Sequence, residues 1–122
     1  MDANSSFTPA FSALRSILAE YERGLVIVAD EPGNYYLNTR TLGPNKRPIA
    51  FGGVRIGKAY VSYYLMCAYA GNVQLGMSPA LKRRMQGKAC FNFKSVDPEL
   101  FQELRAVTRT GYEAWKKLGW VD

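Results

Sequence analysis

Three helix starts are marked in this sequence by a capping residue that is followed directly by proline: Thr8-Pro9, Ser78-Pro79 and Asp97-Pro98. A Ser, Thr or Asp side chain can accept a hydrogen bond from the free N–H groups at a helix N-terminus. Proline suits the first helical position because its missing N–H would have no partner there. The sequence therefore predicts a helix near each end of the chain and a third between them.

Apolar spacing after each start predicts how far these helices extend. Residues 11–21 place apolar side chains at helical intervals, which predicts a first helix that ends at Gly24. Residues 80–85 predict a short basic helix, closed by Gly87. Residues 100–118 carry one continuous apolar face, which predicts a long closing helix that needs a sheet to cover.

Between the helices, short runs rich in β-branched and aromatic residues alternate with turn signals. Five such runs predict strands at residues 25–29, 35–39, 49–56, 59–67 and 89–94. Turn signals at residues 30–34 and at Gly57-Lys58 favour antiparallel neighbours. We therefore predict an α+β fold: a two-layer sandwich in which an antiparallel sheet of about five strands has the N- and C-terminal helices packed on one face.

The organisation of the chain is expected to be simple. Residues 1–122 are predicted to form one domain, with residues 1–7 as a flexible tail. The first residues lack a basic and then apolar leader, and no apolar run reaches about 18 residues, so we expect a cytoplasmic protein with no membrane partner. Cys67 and Cys90 lack the spacing of a metal site or a disulfide scaffold and are predicted to be thiols.

The sequence contains no histidine, and this excludes several classes of enzyme. Serine–histidine and cysteine–histidine nucleophile pairs, zinc proteases of the HExxH type and histidine-ligated haem all need the imidazole ring. An enzyme that uses Cys90 or a tyrosine is a weaker alternative, because Cys90 lies between Lys88 and Lys94 and positive charge can activate a thiol. We expect no catalytic residue, no metal site and no cofactor.

One segment matches a phosphate-binding pattern without its context. Residues 52–58, GGVRIGK, fit the pattern GxxxxGK of a P-loop. Ala59 stands where a Ser or Thr would hold magnesium, and the residues that follow predict a strand and not a helix. A hairpin turn therefore explains these residues better than a phosphate loop does.

Charge is distributed unevenly along the chain. The net charge is +6, yet no acid occurs between Glu31 and Asp97. The bases in that stretch are Arg40, Lys46, Arg47, Arg55, Lys58, Lys82, Arg83, Arg84, Lys88 and Lys94. A field of one sign attracts anions such as phosphorylated metabolites, carboxylates or nucleic acid. The alternative is a solvated surface that positive charge keeps soluble.

Strand alternation predicts which side chains face away from the helices. If Tyr35, Val61 and Phe91 point into the core, the residues next to them point to the other face of the sheet. We predict a ligand-binding face made of Tyr36, Asn38, Arg40, Arg55, Tyr60, Ser62, Tyr64, Asn92 and Lys94. Tyrosine rings can stack on planar groups, while the basic and amide side chains can bind anionic substituents.

The predicted function follows from this face. We expect a non-enzymatic binding module for an anionic or planar ligand, either a small molecule or a nucleic acid. Two alternatives stay open for the same residues. Tyrosines are good strand formers on a solvated face, and a homodimer could bury them as an interface.

Three segments of the chain are YYLNTR, KRPIAFGGVRIGKAYVSYYLM and the closing block MSPALKRRMQGKACFNFKSVDPELFQELRAVTRTGYEAW. They resemble the YdhG-like family of small bacterial domains, over roughly residues 14–120. The resemblance implies a two-layer α+β fold with an antiparallel sheet. Some members are similar to frataxin and are proposed as intracellular iron chaperones. An iron chaperone is therefore the alternative function, with Glu20, Glu22, Asp30 and Glu31 as the oxygen ligands that iron needs.

Overall fold

The computed structural model describes residues 7–44, 46–68, 76–87 and 89–121. Its helices are α1 (Thr8–Ala19), α2 (Pro79–Lys82) and α3 (Pro98–Lys117), with short 3₁₀ helices at Glu22–Gly24 and Met66–Ala68. Its strands are β1 (Val26–Glu31), β2 (Asn34–Leu42), β3 (Pro48–Ile56), β4 (Val61–Leu65) and β5 (Cys90–Phe93). Among the described residues, no helix combines the length and the apolar character needed to cross a membrane.

The five strands form one antiparallel sheet in the chain order β1-β2-β3-β4-β5. Gly33, with a φ of 80°, lies in the tight connection between β1 and β2 and adopts a conformation that favours glycine. In the β3–β4 turn the Gly57 N–H donates to the Tyr60 carbonyl oxygen at 2.8 Å. The GxxxxGK segment is thus the end of β3 and a hairpin turn, and the predicted antiparallel sheet is confirmed.

Helices α1 and α3 cover one face of this sheet. Gly52 in β3 permits the close approach of α1, since an added Cβ would lie 2.7 Å from the Tyr64 carbonyl oxygen and 3.2 Å from Leu18 Cδ2. Helix α3 packs through Trp115, whose ring meets the Phe51 ring edge-on with centroids 5.6 Å apart. The predicted two-layer α+β sandwich is confirmed.

The predicted alternation of core-facing side chains also holds. The core positions of the strands are almost completely buried: Tyr35, Leu37, Val54, Val61, Tyr63, Leu65, Phe91 and Phe93. Between sheet and helix layer, the hydroxyls of Tyr63 and Thr108 share a hydrogen bond of 2.7 Å. That bond satisfies two polar groups that burial removes from water. The alternate positions of these strands therefore face away from the helices.

Some strand ends differ from the prediction. β1 and β2 both extend to their shared turn, ending at Glu31 and starting at Asn34. β4 is shorter than residues 59–67, because Cys67 lies in the 3₁₀ helix Met66–Ala68 that follows it. Elements that end in tight turns are hard to delimit from composition alone.

The first helix differs from the prediction at both ends. Phe7, and not Thr8, occupies the N-cap, and no side chain caps the helix there. Phe7 also packs against the core, whereas residues 1–6 of the predicted tail lie outside the described residues. The helix ends at Ala19, and the chain then tightens into the 3₁₀ helix Glu22–Gly24.

The other two predicted caps are confirmed. Ser78 Oγ accepts a hydrogen bond from the Leu81 N–H at 3.1 Å. Asp97 Oδ1 accepts one from the Leu100 N–H at 3.2 Å. Each cap satisfies an N–H group that a helix N-terminus leaves without a partner inside the helix.

The basic helix is shorter than residues 80–85. It ends at Lys82, and the chain beyond it runs along β5 instead. The Asn92 N–H donates to the Arg84 carbonyl oxygen at 2.8 Å, and the Gln86 N–H donates to the Cys90 carbonyl oxygen at 2.9 Å. Because these backbone groups pair with a strand, they cannot also form helical hydrogen bonds.

Candidate functional site

Two rows of side chains cross the open face, by which we mean the face of the sheet opposite α1 and α3. The first row contains Asn34, Arg55, Ser62 and Asn92, one from each of β2 to β5. The second row contains Tyr36, Gly53, Tyr64 and Cys90 in the same order. Neighbouring strands lie about 4.8 Å apart, so adjacent members of a row are within contact distance.

Tyr36 and Tyr64 form a pair of rings that we call the tyrosine platform. Their ring centroids are 5.8 Å apart and their planes differ by 32°. Gly53 lies between them in the register, and a Cβ built there would be 2.3 Å from Tyr36 Cδ1. The Tyr36 ring therefore lies across the glycine backbone, in space that any other side chain would fill. Both tyrosines remain partly exposed, so solvent reaches the platform.

The Tyr36 hydroxyl lies in a partly desolvated environment. Burial raises the pKa of Tyr36 to about 12, and the neighbouring Tyr64 hydroxyl adds to the increase. The positive charge of Arg55 acts in the opposite direction and lowers the same pKa. The hydroxyl therefore stays protonated at neutral pH and can donate a hydrogen bond. Because the charge of Arg55 affects the pKa of Tyr36, the first row and the platform lie close together on the open face.

Asn92 is the centre of a hydrogen-bonded network on the open face. Ser62 Oγ donates to Asn92 Oδ1 at 2.7 Å, and the Cys90 thiol donates to the same oxygen at 3.4 Å. Asn92 Nδ2 in turn donates to Gln86 Oε1 at 2.8 Å. Because the amide is held on both sides, Asn92 has a defined orientation next to the platform.

Lys94 and Tyr60 extend the site beyond the first row. The Lys94 ammonium nitrogen lies 5.7 Å from the centroid of the Tyr60 ring. A cation–π contact at an exposed position is worth about 0.5–1 kcal/mol, enough to favour this placement of the lysine. Arg55 and Lys94 are exposed, and we call these two bases the basic rim.

Asn38 and Arg40 lie on the opposite side of the platform from the basic rim. Asn38 is about 7 Å along β2 from Tyr36, next to the platform. Arg40 is about 20 Å along β2 from the first row, and its Nη2 donates to the Arg23 carbonyl oxygen at 3.3 Å. A small ligand on the platform therefore cannot contact Arg40 and Lys94 together.

The structure thus places most of the predicted binding residues in one region. That region contains Tyr36, Asn38, Arg55, Tyr60, Ser62, Tyr64, Asn92 and Lys94. Arg40 belongs to the far end of β2, near the 3₁₀ helix that follows α1. Lys88, which contributes to the positive charge of this part of the sequence, lies outside the described residues.

Two further residues of the site were not predicted from sequence. Asn34 Oδ1 is buried and, within the described part of the chain, has no hydrogen-bond partner. The turn signal at residues 30–34 includes Asn34, although its alternation with Tyr36 also indicates a place on the open face. Gln86 has no such signal, because it reaches Asn92 only through the return of the chain along β5.

Three of the four acids of the iron-chaperone alternative contact other side chains. Their partners are Arg105 for Glu20, the Tyr35 hydroxyl for Glu22, and Arg15 for Asp30, at 3.0 Å. Glu31 lies opposite Asn34, at the end of β1. Over the ranges that the structure describes, no three Cys, Asp or Glu side chains form a group that could hold a metal ion.

The two thiols have different surroundings. Burial raises the pKa of Cys67 to about 12, so this thiol stays protonated and unreactive at neutral pH. Cys90 is partly exposed and pairs with Tyr64 in the strand register. Its thiol is therefore the accessible one, beside the tyrosine platform.

Comparison with known proteins adds no relative. No protein-family model matches the chain, and neither curated proteins nor solved structures give a significant match. The resemblance to the YdhG-like family therefore stays a prediction from the sequence segments.

Proposed function

We propose that this protein is a non-enzymatic binding domain for a small anionic ligand that carries a planar group. The observation that carries the proposal is the placement of the tyrosine platform directly beside Arg55. The platform supplies a surface for the planar group, and the basic rim supplies charge for the anionic group.

The planar part of the ligand has a suitable surface on Tyr36 and Tyr64. Aromatic side chains on an open sheet stack on planar groups, with a gain of about 1–3 kcal/mol per stacked ring. The Tyr36 ring is held in place by contact with Gly53 and by its neighbour Tyr64. A ring that is already ordered loses little freedom when a ligand stacks on it.

The anionic part of the ligand would contact the basic rim. Arg55 lies in the row next to the platform, and Lys94 lies beyond the end of that row. A guanidinium can bind a phosphate or carboxylate through two parallel hydrogen bonds. Glu31 is the acid of the same face, but it lies on β1, two strands from Arg55. The β3–β5 side of the open face is therefore the side that favours an anion.

Neutral polar groups would add specificity between these two parts. The Asn92 amide is fixed by Ser62 and Gln86. The Asn34 oxygen is buried without a partner among the described residues and can accept a hydrogen bond. A buried oxygen without a partner is costly, and it marks the β2 end of the first row as polar.

Isothermal titration calorimetry with AMP tests this proposal, because AMP joins a planar base to a phosphate. We expect Arg55→Ala to weaken AMP binding by about tenfold or more, as the loss of a charged hydrogen bond implies. Arg83→Ala is the matched control, since it removes the same charge from a groove beside Asp97 and Glu99. Equal losses in the two variants, or no loss in either, would contradict a site at Arg55.

Two fragments of the probe separate the contributions. Adenosine tests stacking alone, and inorganic phosphate tests the basic rim alone. We expect both to bind more weakly than AMP, with the phosphate contribution decreasing as salt rises. No binding of adenosine, together with AMP binding that Tyr64→Ala does not weaken, would contradict the role of the platform.

We also propose that the protein works in a reducing compartment such as the cytoplasm and belongs to the YdhG-like family. Both cysteines are free thiols, which suits a reducing setting. Family membership rests on the three sequence segments quoted above and on the α+β fold that they imply.

A further inference from the structure

Gln86 extends the second row of the open face beyond the last strand. A β-bridge and the hydrogen bond from the Gln86 N–H to the Cys90 carbonyl oxygen, at 2.9 Å, align the segment after α2 with β5. In this alignment Gln86 lies opposite Cys90, so the second row continues from Tyr64 through Cys90 to Gln86. The exposed Gln86 side chain reaches Asn92 in the first row. Two side-chain amides therefore border the tyrosine platform along β5.

The oxygen of the Asn92 amide is already occupied. Asn92 Oδ1 accepts hydrogen bonds from the Ser62 hydroxyl at 2.7 Å and from the Cys90 thiol at 3.4 Å. An amide oxygen has two lone pairs, so these two donors use its capacity to accept. They leave the amide nitrogen on the side of Gln86. A ligand on the platform therefore finds no free acceptor at Asn92.

The nitrogens of the two amides, in contrast, keep free N–H groups. Asn92 Nδ2 uses one of its hydrogens to donate to Gln86 Oε1 at 2.8 Å, and the second hydrogen remains. Because Gln86 turns its oxygen toward Asn92, its own NH₂ group points away, and that group has no partner within the described ranges. The border along β5 therefore offers mainly hydrogen-bond donors.

The other polar groups around the platform add donors as well. The side chains of Arg55 and Lys94 have several N–H groups and no acceptor. Asn34 Oδ1 is an acceptor, but it is buried at the β2 end of the first row, three strands from Asn92. The exposed acceptors that remain are hydroxyl oxygens such as that of Ser62. N–H donors therefore predominate around the platform.

Both amides are within reach of a ring that lies on the platform. Asn92 is the diagonal neighbour of Tyr64 in the register, at a separation of about 7–8 Å that long side chains span. Gln86 lies about two strand spacings from Tyr64, or about 10 Å. A planar group that covers Tyr64 and extends toward Cys90 therefore brings its edge to the two amides.

We propose that the planar group carries carbonyl oxygens on the edge that faces β5, as in the oxo-substituted rings of hypoxanthine, guanine or uracil. This inference rests on the proposed function, because it requires that an anionic, planar ligand binds the platform. A ring carbonyl accepts a hydrogen bond from Asn92 Nδ2 or Gln86 Nε2. An amino group at the same ring position would instead place a donor against donors, and the groups on both sides would lose a partner.

Titration calorimetry with inosine monophosphate (IMP) and AMP tests the proposal. The ring edge that carries N7 and position 6 has two acceptors in IMP, but one acceptor and one amino donor in AMP. Both nucleotides carry the same ribose phosphate, so the contribution of the basic rim cancels when their affinities are compared. We expect IMP to bind about two- to tenfold more tightly, which is the effect of one neutral hydrogen bond.

Gln86→Glu tests the role of the amides. A glutamate can still accept from Asn92 Nδ2, but its second oxygen replaces the free NH₂ group. The added negative charge should weaken both nucleotides alike, whereas the preference for IMP should fall by about two- to tenfold. Gln102→Glu is the matched control, because it adds the same charge at an exposed position of α3, in the helix layer, and should leave the preference unchanged. Circular dichroism checks that both variants are folded.

The two proposals fail in different ways. Binding of neither nucleotide would contradict the proposed function itself. Equal affinities for IMP and AMP would overturn this inference alone, and so would tighter binding of AMP, because the amides would then turn their oxygens to the ligand. A preference for IMP that Gln86→Glu does not reduce would overturn the role of the amides along β5.

Discussion

The ring of Tyr36 occupies the space that a side chain at Gly53 would need. A Cβ at Gly53 would lie between 2.3 and 2.7 Å from three atoms of that ring. An aromatic ring over a glycine in a neighbouring strand shields the backbone there and supplies the packing that glycine lacks. This one contact also sets the position of the tyrosine platform, because Tyr64 pairs with Gly53 from the other side.

The first prediction compares two adjacent glycines. Gly53→Ala should destabilise the fold by about 1–3 kcal/mol, as overpacking does, because the Tyr36 side chain must move. Gly52→Ala should cost more, because its Cβ would meet the Tyr64 carbonyl oxygen at 2.7 Å, and this backbone atom cannot move without breaking the sheet. Urea unfolding measures both. AMP binding is compared under conditions in which both variants are folded. There, only Gly53→Ala should weaken it.

The opposite order of stabilities would contradict this account of the two faces. A Gly53→Ala variant with unchanged stability and unchanged AMP affinity would mean that the Tyr36 ring does not depend on the glycine. Ala50→Gly, a change at the other end of β3, serves as a control for general effects of substitution in this strand.

The second prediction concerns alkaline pH. The pKa of Tyr36 is raised to about 12, whereas tyrosine in an unfolded chain titrates near 10. The protonated hydroxyl is therefore favoured in the folded state, so its contribution to stability is complete below about pH 10 and is lost as pH rises toward 12. Tyr36→Phe should reduce the loss of stability over this interval, as measured by urea unfolding at a series of pH values.

Other tyrosines add to the same trend and supply the comparison. The pKa values of Tyr35 and Tyr63 are also raised, mainly by burial, so the wild-type protein should lose stability with rising pH even without Tyr36. Tyr60→Phe is the control, since Tyr60 is an exposed ring. If Tyr36→Phe and Tyr60→Phe change the pH dependence equally, the Tyr36 hydroxyl is not in a desolvated environment.

The third prediction distinguishes two glutamates of α3. Glu103 accepts hydrogen bonds from the Ser78 N–H at 2.6 Å and from Ser78 Oγ at 2.7 Å, while Ser78 also caps α2. Hydrogen bonds to a charged group are worth about 1.5–3 kcal/mol each, so Glu103→Ala, which removes two, should lower the free energy of unfolding by at least the value of one such bond. Glu99→Ala, at an exposed position one turn earlier, should change it by about 0.5 kcal/mol or less.

Thermal unfolding followed by circular dichroism gives this comparison directly. Both variants remove one negative charge from the same helix, so a general electrostatic effect would act on both. Equal destabilisation would show that the contact of Glu103 with Ser78 does not hold α2 against α3.

The fourth prediction uses the accessible thiol as a reporter of the site. Iodoacetamide at neutral pH should label Cys90 and leave Cys67 unlabelled, because burial raises the pKa of Cys67 to about 12. AMP should slow the labelling of Cys90, since Cys90 lies beside Tyr64 in the register. Peptide mass spectrometry measures both positions. Labelling of Cys90 at the same rate with and without saturating AMP would place the ligand elsewhere.

Local sequence signals predicted much of this architecture. The Ser78 and Asp97 caps, the antiparallel strand order and the alternation of Tyr35 with Tyr36 all depend on neighbouring residues. Alternation was enough to place most of the predicted binding residues on one face. The N-cap at Thr8 was wrong because capping preference is a tendency that tertiary packing of Phe7 can override.

Features that depend on distant parts of the chain were not predictable in the same way. Register shifts in β1 and β3 decide which residues lie opposite each other, and they have no pattern in a single sequence. The pairing of Arg84 and Gln86 with β5 shortened the basic helix for a reason that lies outside that helix. The distance of Arg40 from Lys94 likewise follows from strand length and register, so alternation alone grouped two residues that are far apart.

An NMR titration of the ¹⁵N-labelled protein with AMP at low salt tests most directly whether the open face binds an anionic, planar ligand. We expect shifts of the backbone amides at Tyr36, Arg55, Tyr64 and Asn92, which decrease when salt is added, and no comparable shifts along α3. Shifts concentrated on α3, or no shift at any concentration of AMP, would contradict the claim that the open face binds an anionic, planar ligand.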